Sequence, residues 1–495
     1  MSKSILLVLF FLTPLLCAQD FPENPDNVSQ PISQQSYYSF IAELQNDNAF
    51  EVTEGGRSAG NHPLYLIHFL GDAKPEAIRV LFFAQQHGNE PAGKDAILYL
   101  IRKIRDGFFS LPKSIDLWLI PQMNPDGAIL YKRTNHLDKD LNRDHLLLSQ
   151  PETQFLHRVV QKIRPHVAVD CHEFSRDSRA YMKKGWIKWP IITMDTANNP
   201  LYSEEARKLG LSWCNEIARP MLEAGFNYTR YYVGGVPPED EQRFSTPECD
   251  DARNGLGAYG GISFIIESGL KRRAENQNSD LGYRIKAYLE LFNQLLFYAD
   301  KDQNLLRDIL EKGSRFPDSF IPTNYFWANP GSKISGVKVL DTESGKSLNI
   351  STANFMHELV TKKSVTKPDS YIIAAEAETL FTPLLQKHGL RYDALEEADS
   401  IMVEPCRLVQ VETFHDSVYQ RYAGRQIVFS EPPAKKYFNR GSIIVPLSQE
   451  FVRKVIILLE PNMMYGLYKH DSFTDLVDST GTVPVYRIMD KKEHL

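Results

Sequence analysis

The chain has 495 residues, 42% of them hydrophobic and 24% charged, with a net charge of −6. That length exceeds one ordinary core and predicts two or three domains. The small net charge comes with no acidic or basic tail, which excludes a protein built to grip nucleic acid through its phosphates.

Met1 to Ala18 reads MSKSILLVLFFLTPLLCA, with one lysine, an apolar run from Ile5 to Leu16 and small residues after it. This predicts a secretory signal peptide over residues 1–18, and the run is too short to span a bilayer. The expected location is therefore secreted or periplasmic. Cys17 offers a lipid-anchored alternative, against which Leu16 stands where a small residue is wanted. No later stretch predicts a transmembrane segment. Four cysteines follow the leader: Cys171, Cys214, Cys249 and Cys406. Export would allow a Cys214–Cys249 bridge; buried free thiols are the other reading. Asn27, Asn227 and Asn349 head sequons that matter only in a glycosylating host.

Residues 19–35, rich in Pro, Asn, Ser and Gln, predict an extended lead-in that is too short to cover an active site. Helices are predicted at 36–46, 92–105, 151–163, 203–224 and 281–299, and strands at 78–85, 115–121, 167–170 and 262–266. Apolar strands separated by helices imply an α/β fold: a mixed, largely parallel sheet with helices on both faces, over residues 36–300. Pro317, Pro322 and Pro330 then punctuate the chain, which places a domain boundary near 300. Residues 301–495 predict a smaller C-terminal α/β or α+β accessory domain. Its strands are expected at 337–341, 370–374 and 442–446, and its helices at 376–388 and 448–459.

Three strand ends carry the chemistry. His87-Gly88-Asn89-Glu90 follows LFFAQ, His172 follows VAVDC, and Glu267 follows ISFII. Open α/β sheets place their sites at such ends. Two imidazoles and a carboxylate form a catalytic zinc set that leaves a fourth position for water. With no cysteine pair at zinc-binding spacing, a closed structural site is not expected. Alternation along the strand turns Cys171 away from His172 and into the core. Between these ends lie Asn124-Pro125-Asp126-Gly127, Arg133-Thr134-Asn135 and Asp140-Leu141-Asn142-Arg143. The Pro-Asp-Gly run reads as a turn. The two arginines read either as a solvated loop or as anion-binding groups.

HGNE, NPDG, RTN…DLNR, a strand-ending His and a strand-ending Glu, in that order, resemble the zinc carboxypeptidases of the carboxypeptidase A type over roughly residues 36–300. The HGNE form is similar to that of bacterial members, and of the deacylases that share the fold. The resemblance implies one zinc ion on His87, Glu90 and His172, with Asp140 orienting His87. It implies Arg133 facing the oxyanion, and Asn142 and Arg143 holding the free C-terminal carboxylate of a peptide. Glu267 would be the general base. Asn89 departs from the pancreatic H-x-R-E pattern, and Tyr231, Tyr232 and Tyr259 compete for the family's substrate tyrosine. Arg253 stands in the stretch before Glu267 and predicts a taste for acidic terminal residues, as in cell-wall peptides. Lys271-Arg272-Arg273 reads as a solvated charge cluster, with a place on the cleft rim as the alternative. The function expected is a secreted zinc metallocarboxypeptidase. A deacylase of acylated amino acids and a non-catalytic zinc- or peptide-binding protein are the alternatives.

Overall fold

A computed structural model describes residues 21–273, 276, 278–331, 336–416 and 421–489. The expected leader, with Cys17, lies outside the described residues.

Eight strands build the central sheet: β1 (Phe50–Arg57), β2 (Pro63–Phe69), β3 (Ile78–Ala84), β4 (Ile115–Ile120), β5 (Val167–Ser175), β6 (Ile192–Thr196), β7 (Tyr228–Arg230) and β8 (Ile262–Leu270). Their order is β1-β2-β4-β3-β5-β8-β6-β7. The pairs β4–β3, β3–β5, β5–β8 and β6–β7 are parallel; β1–β2, β2–β4 and β8–β6 are antiparallel. The sheet is thus mixed and largely parallel, as the buried apolar runs predict.

Successive side chains of β3 point to opposite faces. Val80, Phe82 and Ala84 join one core with helices α1 (Gln34–Leu44), α2 (Ala92–Arg105) and α6 (Leu281–Lys301). Leu81 and Phe83 join a second core with α3 (Pro151–Ile163). Helix α2 therefore carries the chain from β3 to β4 over one face, and α3 returns it to β5 over the other. The strand order reverses between β3 and β5, and a crevice opens at their carboxyl ends.

The helix expected at 203–224 is two: α4 (Glu204–Glu216) and α5 (Ala218–Glu223), breaking at Ile217. Pro220 explains the break, because a proline ring inside a continuous helix removes a hydrogen bond and strikes the preceding turn. The Cys214–Cys249 bridge does not form; all four cysteines are buried and free.

After α7 (Gln303–Gly313) the chain is richer in strand than the sequence suggests. Strands β9 (Phe320–Ala328), β10 (Gly336–Asp341), β11 (Glu358–Thr366), β12 (Ser370–Ile373), β13 (Cys406–Asp416), β14 (Arg421–Ser430), β15 (Ile443–Pro446) and β16 (Val485–Ile488) appear there. Of these, β15, β12 and β16 form a small antiparallel sheet, while β9–β11 and β13–β14 are two-stranded ribbons. Two helices, α8 (Glu378–Lys387) and α9 (Val452–Leu459), pack Phe381, Leu384, Val455 and Ile456 into the same core as Phe83 and Phe155. The C-terminal segment thus closes the second face of the central sheet. No described helix is long and apolar enough to cross a membrane.

That face buries three histidines, His145, His157 and His388, each 0% exposed. Burial pushes His145 down to about 3 and holds His157 and His388 well below the ordinary imidazole range. All three are neutral in the fold, whereas an unfolded chain protonates them near pH 6.5. Stability is therefore full above pH 6.5 and falls as pH drops from there toward 3, by up to about 1.4 kcal/mol per pH unit for each histidine. Urea midpoints at pH 7.5, 6.0 and 5.0 should decline in that order. Exchanging His388 for glutamine should flatten the slope.

Candidate metal centre

His87 and Glu90 sit on the turn between β3 and α2. Gln85 leaves the strand with φ of 59°, a left-handed conformation that non-glycine residues adopt sparingly. Gly88 then passes so close to Gly127 that an added Cβ would lie 2.0 Å from its carbonyl carbon. Asn124 holds this approach, capping Gly127 through Oδ1 (2.8 Å) and donating to the Gln86 carbonyl (3.0 Å). The Asn-Pro-Asp-Gly run is thus the scaffold under the turn; Asn124 caps a short helix over Pro125–Ile129.

His172 lies on β5, and strand register sets Glu267 of β8 directly beside it. Three donor atoms converge. His87 Nδ1 is 2.9 Å from Glu90 Oε2, His172 Nδ1 is 3.1 Å from the same oxygen, and the two nitrogens are 3.0 Å apart. A cation about 2.0–2.2 Å from each fits such a triangle, the bond length of zinc with imidazole and carboxylate. Among the described residues, this is the one group of three potential ligands whose donor atoms lie within 4.8 Å of one another.

The outer nitrogens are held as well. His87 Nε2 lies 3.2 Å from Asp140 Oδ1, and His172 Nε2 lies 2.7 Å from Asp170 Oδ2. Each carboxylate accepts a hydrogen bond from the outer N–H and leaves Nδ1 free to ligate. Burial alone raises Asp140; the hydrogen bond and charge of His87, with Arg133 and Arg143, bring it well below the usual carboxylate range. Burial lowers His172, but Asp170 and Glu90 override this and hold it well above the usual range. The same electronegativity suits the triad to a metal cation.

A cleft of about 290 Å³ opens over the triad, with His87, Glu90, Glu267, Arg133, Arg143 and Asn142 in its wall. Arg133 is 45% exposed, donates to Asp140 Oδ2 at 3.0 Å and stands 3.6 Å from Glu90 Oε1. Arg143 donates to the Asn142 carbonyl at 2.5 Å. The Asn142 amide is engaged at both ends: Oδ1 accepts from Ala252 N (2.8 Å), and Nδ2 lies 3.2 Å from His172 Nε2. Glu267 is 8% exposed, and burial pushes its carboxyl up to about 7.

Of the three tyrosines, Tyr231 lines the cleft. Tyr232 packs on Phe355, and Tyr259 bonds to His157 beneath the sheet. Arg253 also lines the cleft but is 1% exposed. It bonds Ser245 Oγ, the Thr246 carbonyl (2.5 Å) and Asp251 (3.1 Å), and stands 3.6 Å from Asp195. Two carboxylates therefore match its charge.

Arg272 takes the cleft-rim reading: it lines the cleft, 3.6 Å from Glu90 Oε1. Asp177 holds it there, accepting from the Arg272 and Arg273 backbones (2.9 and 2.7 Å). Asp170, buried behind His172, escapes the sequence reading; its place two residues before His172 on one strand face is the signal that could have found it.

Residues 37–181 match the family model described as zinc carboxypeptidase. "Carboxypeptidase 2" of Trichophyton rubrum is 24% identical over 257 residues, covering 49% of this chain and 48% of the relative. "Carboxypeptidase SOL1" of Arabidopsis thaliana is 29% identical over 182 residues, covering 32% of this chain and 37% of its own length. This chain thus spans about half the length, or less, of these relatives. A metallo-carboxypeptidase from Pseudomonas aeruginosa, solved with (2-guanidinoethylmercapto)succinic acid, aligns with a TM-score of 0.41 and 20% identity, over 55% of this chain and 70% of that one. The matched segment contains His87, Glu90 and His172 and stops before Glu267. Over residues 37–181 the chain is thus similar to the zinc carboxypeptidase family.

Proposed function

We propose that the protein is a secreted zinc metallocarboxypeptidase, removing C-terminal residues from peptides with one zinc ion on His87, Glu90 and His172. The observation that carries this reading is the convergence of the triad's donor atoms beneath one cleft lined by His87, Glu90, Glu267 and Arg143. The leader pattern of residues 1–18 supports export.

Zinc so held supplies a Lewis acid and a water whose pKa falls to about 7. Glu267 takes a proton from the attacking water and returns it to the leaving amine. A carboxyl lifted toward 7 suits that exchange near neutral pH. Arg133 faces the carbonyl oxygen as it gains charge. Arg143, with Asn142 beside it, receives the substrate's terminal carboxylate, for which a guanidinium fork is matched in shape and charge. The substrate class is any peptide with a free C-terminal carboxylate, with no charged terminal side chain required, since Arg253 is already paired.

Release of amino acids from a mixed peptide pool, followed by mass spectrometry, tests the reading. Single C-terminal residues should appear, vanish on chelation and return with zinc. Internal cleavage, or release insensitive to chelation, would overturn it. Amidated peptides should resist. Arg143→Gln should raise KM for free-acid peptides roughly 10–100-fold, the equivalent of a charge-assisted bond worth about 1.5–3 kcal/mol, with kcat little changed.

A further inference from the structure

His172 ligates through Nδ1, so its proton sits on Nε2, which faces Asp170 Oδ2 at 2.7 Å. Asn142 Nδ2 lies 3.2 Å from the same nitrogen, but as a donor it cannot take that proton. Asp170 Oδ2 accepts a second bond, from Gln86 Nε2, also at 2.7 Å. A carboxylate does not donate, so this fixes the direction of everything beyond it. The Gln86 amide turns its nitrogen to Asp170 and its oxygen to His145 Nε2, 2.8 Å away. His145 must then carry its proton on Nε2 and present the Nδ1 lone pair to His157 Nε2 at 3.1 Å. His157 in turn is protonated on Nε2 and accepts at Nδ1 from the Tyr259 hydroxyl at 2.8 Å. The Tyr259 oxygen accepts from Gln161 Nε2 (3.2 Å), which also donates to the Lys387 carbonyl (2.8 Å) at the end of α8.

We propose that this buried chain holds Asp170 in position and through it orients the metal ligand His172, with His145 and His157 as positioning residues for zinc. The proposal rests on the metal-centre reading above. Along the chain from Asp170 to Tyr259 every link has one donor and one acceptor, and reversing any of them sets two donors or two acceptors face to face. Gln86, His145, His157 and Asp170 are each 0% exposed, so water cannot repair a broken link. Neutral imidazoles are required at His145 and His157, and the depth of the site keeps them so. Lys454 of α9 stands 4.7 Å over the Tyr259 ring and adds a charge that opposes their protonation. Residues after 300 thereby reach the metal centre without entering the cleft.

Zinc dissociation constants, measured on the full-length protein by competition with a chromogenic chelator, test this independently of activity. His145→Phe should weaken zinc about tenfold, within the range for outer partners of a ligand. Tyr259→Phe, which removes one oxygen and keeps the ring, should shift the constant in the same direction by less. His145→Gln retains one donor and one acceptor and should restore affinity to near the native value. A purely structural role would lower the melting temperature of His145→Phe and leave the zinc constant of the folded protein at the native value; that result overturns the proposal. So does weakened zinc in His145→Phe that His145→Gln fails to restore. Should His145→Phe not fold, an unchanged zinc constant in Tyr259→Phe overturns it alone. Failure of the native protein to bind zinc would instead remove the metal-centre reading.

Discussion

Glu267→Gln should lower kcat by about 10²–10⁴-fold, the usual contribution of a positioned acid–base group, while zinc stays stoichiometric. Glutamine keeps the size and polarity of the side chain but can neither accept a proton from water at neutral pH nor return one to an amine. Glu267 makes no part of the donor triangle, whose corners are His87, Glu90 and His172, so metal content separates loss of the base from loss of the site. The fold should not suffer. Glu267 is 8% exposed, and burial disfavours its charge, so a neutral amide removes a desolvation cost. Kinetics on a short free-acid peptide, with zinc assayed by metal analysis, decide the matter. A variant within tenfold of native kcat would show that another group moves the proton.

The ends of β3, β5 and β8 were legible because burial on both faces writes long apolar runs, and an ionisable residue stands out where each run stops. His87, His172 and Glu267 needed no more than that. Partnership was not legible. Arg253 shows as a charge in the sequence, while Asp195, which stands 3.6 Å from it, lies 58 residues earlier, on β6. Arg272 reads both ways: its basic neighbours suggest solvent, its nearness to Glu267 the cleft rim, and two backbone bonds to Asp177 bring it to the cleft. The C-terminal ribbons stay hidden for a different reason. β11 reads ELVTKKSVT and is largely exposed, so it lacks the period-two alternation that one buried face imposes. Its pairing with β9 is set by tertiary contact.

Arg253→Leu should destabilise the protein by about 3–5 kcal/mol, the cost of stranding buried charges whose partner is removed, out of a total that for most proteins is about 5–15 kcal/mol. Asp195 is 0% exposed and takes Arg230 at 2.8 Å on its other oxygen. Without Arg253 the second oxygen keeps the Ser245 hydroxyl (2.5 Å) and loses its cation. Asp251 loses its bond as well while still capping Asn254 N at 2.7 Å. Burial already raises Asp251, and Arg253 is the largest influence pulling it down, so the variant should also protonate Asp251 more readily, and its stability deficit should shrink as pH falls and the stranded carboxylate is neutralised. Arg253→Lys should rescue little, because an ammonium cannot reach Ser245, Thr246 and Asp251 at once as a planar fork does. Urea unfolding reads the stability. The ratio of kcat/KM for peptides ending in Glu and in Phe reads selectivity in whatever fraction folds, and it should stay at the native value. If stability were native and the Glu preference vanished, the guanidinium would be a substrate group after all, and the pairing with Asp195 and Asp251 would be the arrangement that a bound acidic side chain displaces.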